Sequence, residues 1–332
     1  MSPAATRTSP GNAFGHSEDQ LRLLARVARM YHERGLRQGD IARELHISQP
    51  RVSRLLKRAA EIGIVRTTVA LPAGVYTDLE EELEQRFGLD QVVVVDAGGS
   101  DHDVNPALGA ATADYLAATL IGNDVVGISS WASSLLAAFG ALKPFRTPVA
   151  ESVVQLVGGL GNPRVQMQAT RIISLFANAT GAEPILLPTP AVLGSAEAKE
   201  SLLADPAVAD VLDAWSRLTL ALVGIGATEP SALARESGNA FPEADQRLLA
   251  AKGAVGDICF RFFDDAGASV DSSFDGRVIG IDPGTLKAVP RRVGVAGGMK
   301  KVAAIRGAIA GGWINVLVTD LDVARALLRP TA

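Results

Sequence analysis

Along the first seventy residues, apolar positions recur at three- and four-residue steps, the spacing that lines one face of an α-helix. From Glu18 to Arg34 these positions are Leu23, Leu24, Val27, Ala28 and Tyr31, and Gly35 ends the segment. A second, shorter helix is predicted from about Gln38 to Leu45, with Ile41, Ala42 and Leu45 inward. The turn His46-Ile47 and the N-cap candidate Ser48 lead into a third helix, which takes Pro50 in its first turn and places Val52, Leu55, Leu56 and Ala59 at i, i+3, i+4 and i+7. Gly63 ends that helix, and the β-branched run after it predicts a strand that makes a small wing. A turn of this kind commonly carries glycine where His46 stands. Positive φ there costs a histidine on the order of 1 kcal/mol.

After residue 70 the period changes. Residues 71–76 read as a linker, and Leu79, Leu83 and Phe87 predict a helix over 77–87. Short β-rich runs then finish repeatedly in small residues: Val92-Val-Val-Val-Asp-Ala-Gly-Gly, Val125-Val-Gly-Ile-Ser-Ser, Val153-Val-Gln-Leu-Val-Gly-Gly, Leu222-Val-Gly-Ile-Gly-Ala and Val293-Gly-Val-Ala-Gly-Gly. Helical stretches separate them. Strand, small turn and helix in alternation predict a mainly parallel sheet covered on both faces, because such strands are apolar throughout. Ligands of these sheets bind beyond the carboxyl ends of the strands, where the Gly- and Ser-rich turns converge. Each Gly-Gly alone is weak evidence, a tight turn with no ligand being its commoner meaning.

Composition bounds this picture. With 332 residues, 48% of them hydrophobic, the chain can build one small and one large domain. The expected boundaries are a disordered tail at 1–17, a small helical domain at 18–70, the linker, and a large α/β domain at 77–332. No run approaches the roughly 18 apolar residues of a membrane span, and the first residues lack a signal-peptide core, so a cytoplasmic protein with no membrane partner is expected. Cys259 is the only cysteine and its apolar neighbours predict a buried, inert thiol. His16, His32, His46 and His102 have no ligand spacing, so neither metal nor cofactor is expected. Charge divides the chain: residues 1–70 hold 12 Lys and Arg against 6 Asp and Glu, the remainder 20 against 30. A polyanion would meet the front module only.

The third helix carries the matching chemistry. Opposite its apolar face lie Arg51, Arg54, Lys57 and Arg58, with Ser48, Gln49 and Ser53 toward its N-terminal end. Arg offers a planar fork to guanine edges, Gln can pair with adenine, and Lys and Ser suit phosphate. A solvated basic helix face would look similar on charge alone, but the two-helix spacing with a tight turn is that of a helix-turn-helix. In the large domain, Gly297 and Gly298 precede Lys300 and Lys301 at a predicted helix start. Lysine costs a few tenths of a kcal/mol there unless an anion is bound, the alternative being two lysines in water. Ser129, Ser130, Ser133 and Ser134 surround a second helix start, as phosphate ligands or as caps.

Together these residues resemble the SorC family of sugar-responsive bacterial regulators across nearly all of 20–328. The similarity rests on Asp40-Ile-Ala-Arg-Glu-Leu with Val52-Ser-Arg-Leu-Leu, Gln155-Leu-Val-Gly-Gly-Leu-Gly-Asn-Pro with Val165-Gln, Gly256-Asp-Ile-Cys with Arg261-Phe-Phe, Val278-Ile-Gly-Ile, and Ala296-Gly-Gly through Ile314-Asn-Val-Leu-Val-Thr-Asp. The resemblance implies an α/β architecture: a helical helix-turn-helix domain followed by a Rossmann-like effector domain related to sugar-phosphate isomerases. It further implies a homodimer or homotetramer on double-stranded operator DNA, with a small phosphorylated sugar as effector. By the same resemblance, Ser133 and Ser134 match a phosphate-contacting loop, Lys301 the lysine after the double glycine, and Asp257 an acidic residue facing the sugar. Ser130, Gly158, Gly159, Gln168, Gly297 and Gly298 belong near that pocket. Trp131-Ala132-Ser133 and Phe260 depart from the family pattern. Two other functions compete. One is a sugar-phosphate isomerase or lactonase-like enzyme, for which Gly224-Ile-Gly is followed by Ala227-Thr-Glu-Pro-Ser without an evident base and histidine, leaving Glu229 alone. The other is an oligomer scaffold with a vestigial pocket.

Overall fold

The computed structural model describes residues 18–65, 74–99, 103–159, 163–228, 243–270 and 272–329. The chain divides into two compact units, Met1–Ala70 and Leu71–Ala332.

The first unit holds α1 (Glu18–His32), α2 (Gln38–Glu44) and α3 (Gln49–Glu61). Val27 and Met30 of α1, Ile41 and Ala42 of α2 and Val52 of α3 form its core, and Leu24, Ala28 and Ala59 form a second cluster. Tyr31, expected inside, is 39% exposed, and the buried place goes to Met30. The thioether needs no hydrogen-bond partner, whereas the phenol would have carried its hydroxyl into a core without one. Gly35 and Gly63 adopt positive φ at the helix ends, and His46 does so in the turn, at +53°. The expected tail at 1–17, the wing and the first half of the linker lie outside the described residues.

In the second unit, α4 (Thr77–Phe87) precedes β1 (Gln91–Val95), α5 (Asn105–Thr119), β2 (Val125–Ile128), α6 (Ser133–Ala141), β3 (Ser152–Gln155), α7 (Pro163–Thr180) and β4 (Glu183–Ile185). Next come α8 (Ala196–Leu203), α9 (Pro206–Trp215), β5 (Leu220–Gly224), β6 (Gly226–Ala227), α10 (Glu243–Ala251), β7 (Gly256–Ile258) and β8 (Arg261–Phe263). The chain finishes with α11 (Pro283–Ala288), β9 (Arg291–Val295), α12 (Val302–Ala310), β10 (Val316–Asp320) and α13 (Leu321–Leu328).

Seven strands form one sheet in the order β1-β10-β9-β5-β2-β3-β4, with every pairing parallel. Alternation along each strand feeds two cores: Val126, Ile128, Leu220, Leu222, Val293 and Val295 pack on one face, Val125, Val154, Ala221 and Val223 on the other. Both faces are covered, so the strands carry no polar period. Two features escape the sequence rhythm. The β4 strand is only Glu-Pro-Ile, at an edge where a proline without an N–H is tolerated. The antiparallel β6-β7-β8 sheet is built from strands of two or three residues, too short to show alternation.

Strand order places the site. From β2 the chain moves outward to β3, and from β5 it leaves toward β9 on the other side, although β2 and β5 are neighbours. Connections departing in opposite directions leave a crevice above the carboxyl ends of those two strands.

Candidate functional site

That crevice opens into a cavity of about 670 Å³. Five strand ends contribute to its wall: Val104, Asn105 and Leu108 after β1, Ser129 and Trp131–Ser134 after β2, Val157 after β3, Gly224–Thr228 at the end of β5, and Ala296, Gly297, Lys300 and Lys301 after β9. The β7–β8 turn adds Asp257, Cys259 and Phe260.

The start of α6 is the clearest anion-binding feature. Its N-cap is Ala132, which has no side-chain acceptor and so caps none of the first helical N–H groups, and Ser133 and Ser134 lie in the first turn. Alanine fits there because Gly224 leaves room for its methyl; a Cβ on Gly224 would stand 2.5 Å from that of Ala132. Ser134 Oγ donates to the Val295 carbonyl of β9 at 3.0 Å, tying the helix start to a strand end two places along the sheet while keeping its lone pairs. Ser129 Oγ accepts from the Gly224 N–H at 3.0 Å and ties β2 to β5 in the same way.

On the other wall, Met299–Lys301 form a 3-10 turn that hands over to α12 at Val302. The two lysines therefore precede the α-helix, one turn earlier than the sequence reading placed them. Gly298 adopts φ +87° and its N–H donates to Asp320 Oδ2 at 2.6 Å. The same carboxylate caps α13 through the N–H groups of Asp322 and Val323. Among the described residues the Lys301 ammonium has no ion-pair partner within hydrogen-bonding distance. Burial lowers its pKa, and the charge of Asp257 opposes that shift.

Asp257 sits where only glycine allows it: a Cβ on Gly226 would overlap its Oδ1. Burial pushes its carboxyl up to about 6, against the pull of the Phe260 N–H, which donates to Oδ2 at 3.0 Å, and of Lys301. Cys259 and Phe260 form the two-residue turn between β7 and β8, at φ +53° and +60°. Turns with two positive φ angles ordinarily use Asn-Gly or Gly-Gly. The Cys259 thiol is buried and its pKa is raised above the usual range, as an inert cysteine requires.

In the first unit, Ser48, Gln49, Arg51, Ser53, Arg54, Lys57 and Arg58 are all exposed, while Val52 and Ala59 are buried. Ser48 has N-cap geometry, but its hydroxyl makes no capping bond and stays available to a ligand. Arg54 Nε donates to the Pro50 carbonyl at 3.4 Å, and Arg58 pairs with Glu61 at 3.0 Å.

Residues 73–329 match the family model described as "Putative sugar-binding domain". Over 94% of its length the chain is 35% identical to the deoxyribonucleoside regulator of Bacillus subtilis, of which the match covers 98%, and 31% identical to the sorbitol operon regulator of Klebsiella pneumoniae, of which it covers 99%. The crystal structure of the full-length sorbitol operon regulator SorC from Klebsiella pneumoniae superposes with a TM-score of 0.69 at 29% identity, covering 94% of this chain and all of that one. The chain belongs to the SorC family of transcriptional regulators.

In this SorC-family protein the residues named from the sequence fall into two groups. Ser133, Ser134, Asp257, Gly297 and Lys301 line the cavity. Ser130, Gly158 and Gly159 stand behind the wall and hold it, and Gly298 lies beside the lining residues without being one of them. Ser130 is fully buried, donating to the Val157 carbonyl at 3.4 Å and accepting from Gln155 Nε2 at 3.1 Å. Gly158 is pressed against the Pro190 backbone, where any Cβ would clash, and its carbonyl accepts from Trp131 Nε1 at 3.0 Å. Gly159 packs on the Gln155 amide. The N–H of Gly298 is spent on Asp320, so it is not a free donor for a ligand. Gln168 lies on α7, but its side chain is outside the described residues, as is Glu229. The sequence reading missed Asn105 and Thr228. Their signal was present, since each follows one of the β-rich runs whose ends were expected to converge.

Proposed function

We propose that this protein is a transcriptional regulator of carbohydrate metabolism that reads operator DNA with α3 and adjusts its DNA affinity to a small phosphorylated sugar held in the cavity. The observation that carries the effector half is the meeting of two anion-attracting features in one cavity: the start of α6 at Ser133 and Ser134, which its N-cap side chain does not cap, and the half-buried ammonium of Lys301, which has no ion-pair partner among the described residues. Oriented N–H groups and a desolvated cation favour a compact dianion such as a phosphomonoester. Asp257, on the same wall, suits the hydroxyl groups of the sugar attached to it.

The DNA half is supported by the exposed row Gln49, Arg51, Ser53, Arg54, Lys57 and Arg58, with Ser48 at the helix start. A helix of this kind presents its N-terminal residues to base edges and its later cations to phosphates. A homodimer or homotetramer would set two such helices one DNA turn apart on a palindromic operator in the cytoplasm. The related proteins are named as regulators, in keeping with regulation and not turnover.

Thermal unfolding of the full chain with a panel of phosphorylated sugars, paired with operator binding in the same panel, tests this reading. An effector raises the midpoint by mass action and changes operator affinity. A sugar phosphate consumed during incubation would restore the enzyme reading, and a panel with no response would leave the large unit as an oligomer scaffold.

A further inference from the structure

We infer that Trp131 selects the carbon skeleton of the effector: its indole face is a fixed platform for the C–H face of a ring-form sugar monophosphate. This inference rests on the phosphate reading of the cavity given above.

Three observations lead to it. First, Trp131 lines the cavity two residues before Ser133, so the ring stands beside the start of α6, where a phosphate would sit. A sugar bonded to that phosphate has its nearest carbons next to the indole. Second, the polar edge of the indole is already used. Nε1 donates to the Gly158 carbonyl at 3.0 Å, which leaves the ring no hydrogen bond to give the ligand, only its face. Third, the anchor is rigid. Gly158 donates its own N–H to the Ile279 carbonyl at 3.0 Å, and its Cα is wedged against the Pro190 backbone. A half-buried tryptophan fixed in this way loses little freedom when a ligand arrives.

The rest of the wall agrees. Val157, Ile225, Cys259 and Phe260 are apolar, and beyond the serines and lysines of the phosphate end the polar side chains are Asp257, Asn105 and Thr228. A sugar ring has one face of C–H bonds and an edge of hydroxyls, matching an apolar platform beside a few polar groups. A short open-chain phosphate offers no such face. Contact of that face with the indole is expected to change affinity by about tenfold, or roughly 1.4 kcal/mol.

The test uses the full-length protein and three probes by calorimetry: ribose 5-phosphate and glucose 6-phosphate, which have ring forms, and glycerol 3-phosphate, which has none. Wild type should bind at least one ring probe about tenfold more tightly than glycerol 3-phosphate. Trp131→Ala should erase that preference by weakening the ring probe while leaving glycerol 3-phosphate within about twofold. Trp131→Phe, which conserves a face and guards against misfolding, should restore most of it. Emission offers a second readout, because Trp215 and Trp313 are buried at 6% and 0% exposure. A ligand-induced change in tryptophan fluorescence should vanish in Trp131→Phe although the probe still binds. An unchanged preference in Trp131→Ala, or a fluorescence change that persists in Trp131→Phe, overturns the inference and leaves the phosphate reading standing. If wild type binds none of the three probes, the phosphate reading falls and the inference falls with it.

Discussion

Folding places the Asp257 carboxylate where charge is costly, and replacing it with Asn exposes that cost directly. The carboxyl stands at about 6 instead of an ordinary 3.8, because burial outweighs the help of the Phe260 N–H and of Lys301. That gap corresponds to about 3 kcal/mol, at roughly 1.4 kcal/mol per pH unit. The sign follows from proton binding: the folded protein holds the proton more tightly than the unfolded chain, so the ionised form is destabilising. The cost is absent below about pH 4, grows between pH 4 and 6, and is fully present at pH 7. Asn keeps an oxygen for the Phe260 N–H and carries no charge. Asp257→Asn should therefore match wild type near pH 4 and exceed it at pH 7 by up to about 3 kcal/mol, a rise in midpoint of roughly 6–12 °C for a domain of this size. Thermal unfolding of both proteins across pH 4–8 reads the difference, in which the other titrating groups cancel. A difference that is flat with pH, or a variant less stable at pH 7, refutes the reasoning.

Lys301→Ala should abolish the response to a phosphorylated sugar while leaving operator affinity in its absence unchanged, measured by fluorescence anisotropy with labelled DNA. Arg54→Ala should weaken specific operator binding by about 1–3 kcal/mol if the guanidinium reads a base, whereas Lys57→Ala should lower affinity for all sequences and reduce the salt slope by about 1. Gly226→Ala drives a methyl into Asp257 Oδ1, so it should lower the unfolding midpoint and lose sugar-phosphate stabilisation together. In the double variant Gly226→Ala with Asp257→Ala, much of the lost stability should return while the sugar response stays absent.

The large-scale plan was legible because it depends on repetition. Five apolar runs ending in small residues predicted β1, β2, β3, β5 and β9, and three amphipathic periods predicted α1, α2 and α3. The cavity wall was legible where a residue's type conflicts with its local setting, as with the lysines after Gly297-Gly298. It was not legible where the role depends on what stands behind. Nothing in the sequence separates Ser133, facing the cavity, from Ser130, whose hydroxyl is turned inward to Val157 and Gln155. Both sit within four residues in one serine-rich loop, and the distinction is made by β3, more than twenty residues further along. Likewise Gly298 reads as a ligand-contacting glycine until Asp320, from the end of β10, takes its N–H.

The Cys259-Phe260 turn shows why such a site needs the whole fold. Positive φ costs L-residues about 1–2 kcal/mol each, and a turn of two would not form in isolation with these side chains. What holds it is tertiary: both side chains are buried, Arg261 immediately after it donates to the carbonyls of Gly280 and Ile281 at 2.9 and 3.2 Å, and Asp257 accepts the Phe260 N–H. The last of these restraints is also the group expected to meet the effector. A ligand that draws the Asp257 carboxylate toward itself weakens its bond to the Phe260 N–H, so occupancy of the cavity and the conformation of the β7–β8 turn are competing claims on one oxygen pair. Coupling between ligand and protein shape then needs no long relay at this point, because the strained element is already part of the cavity wall.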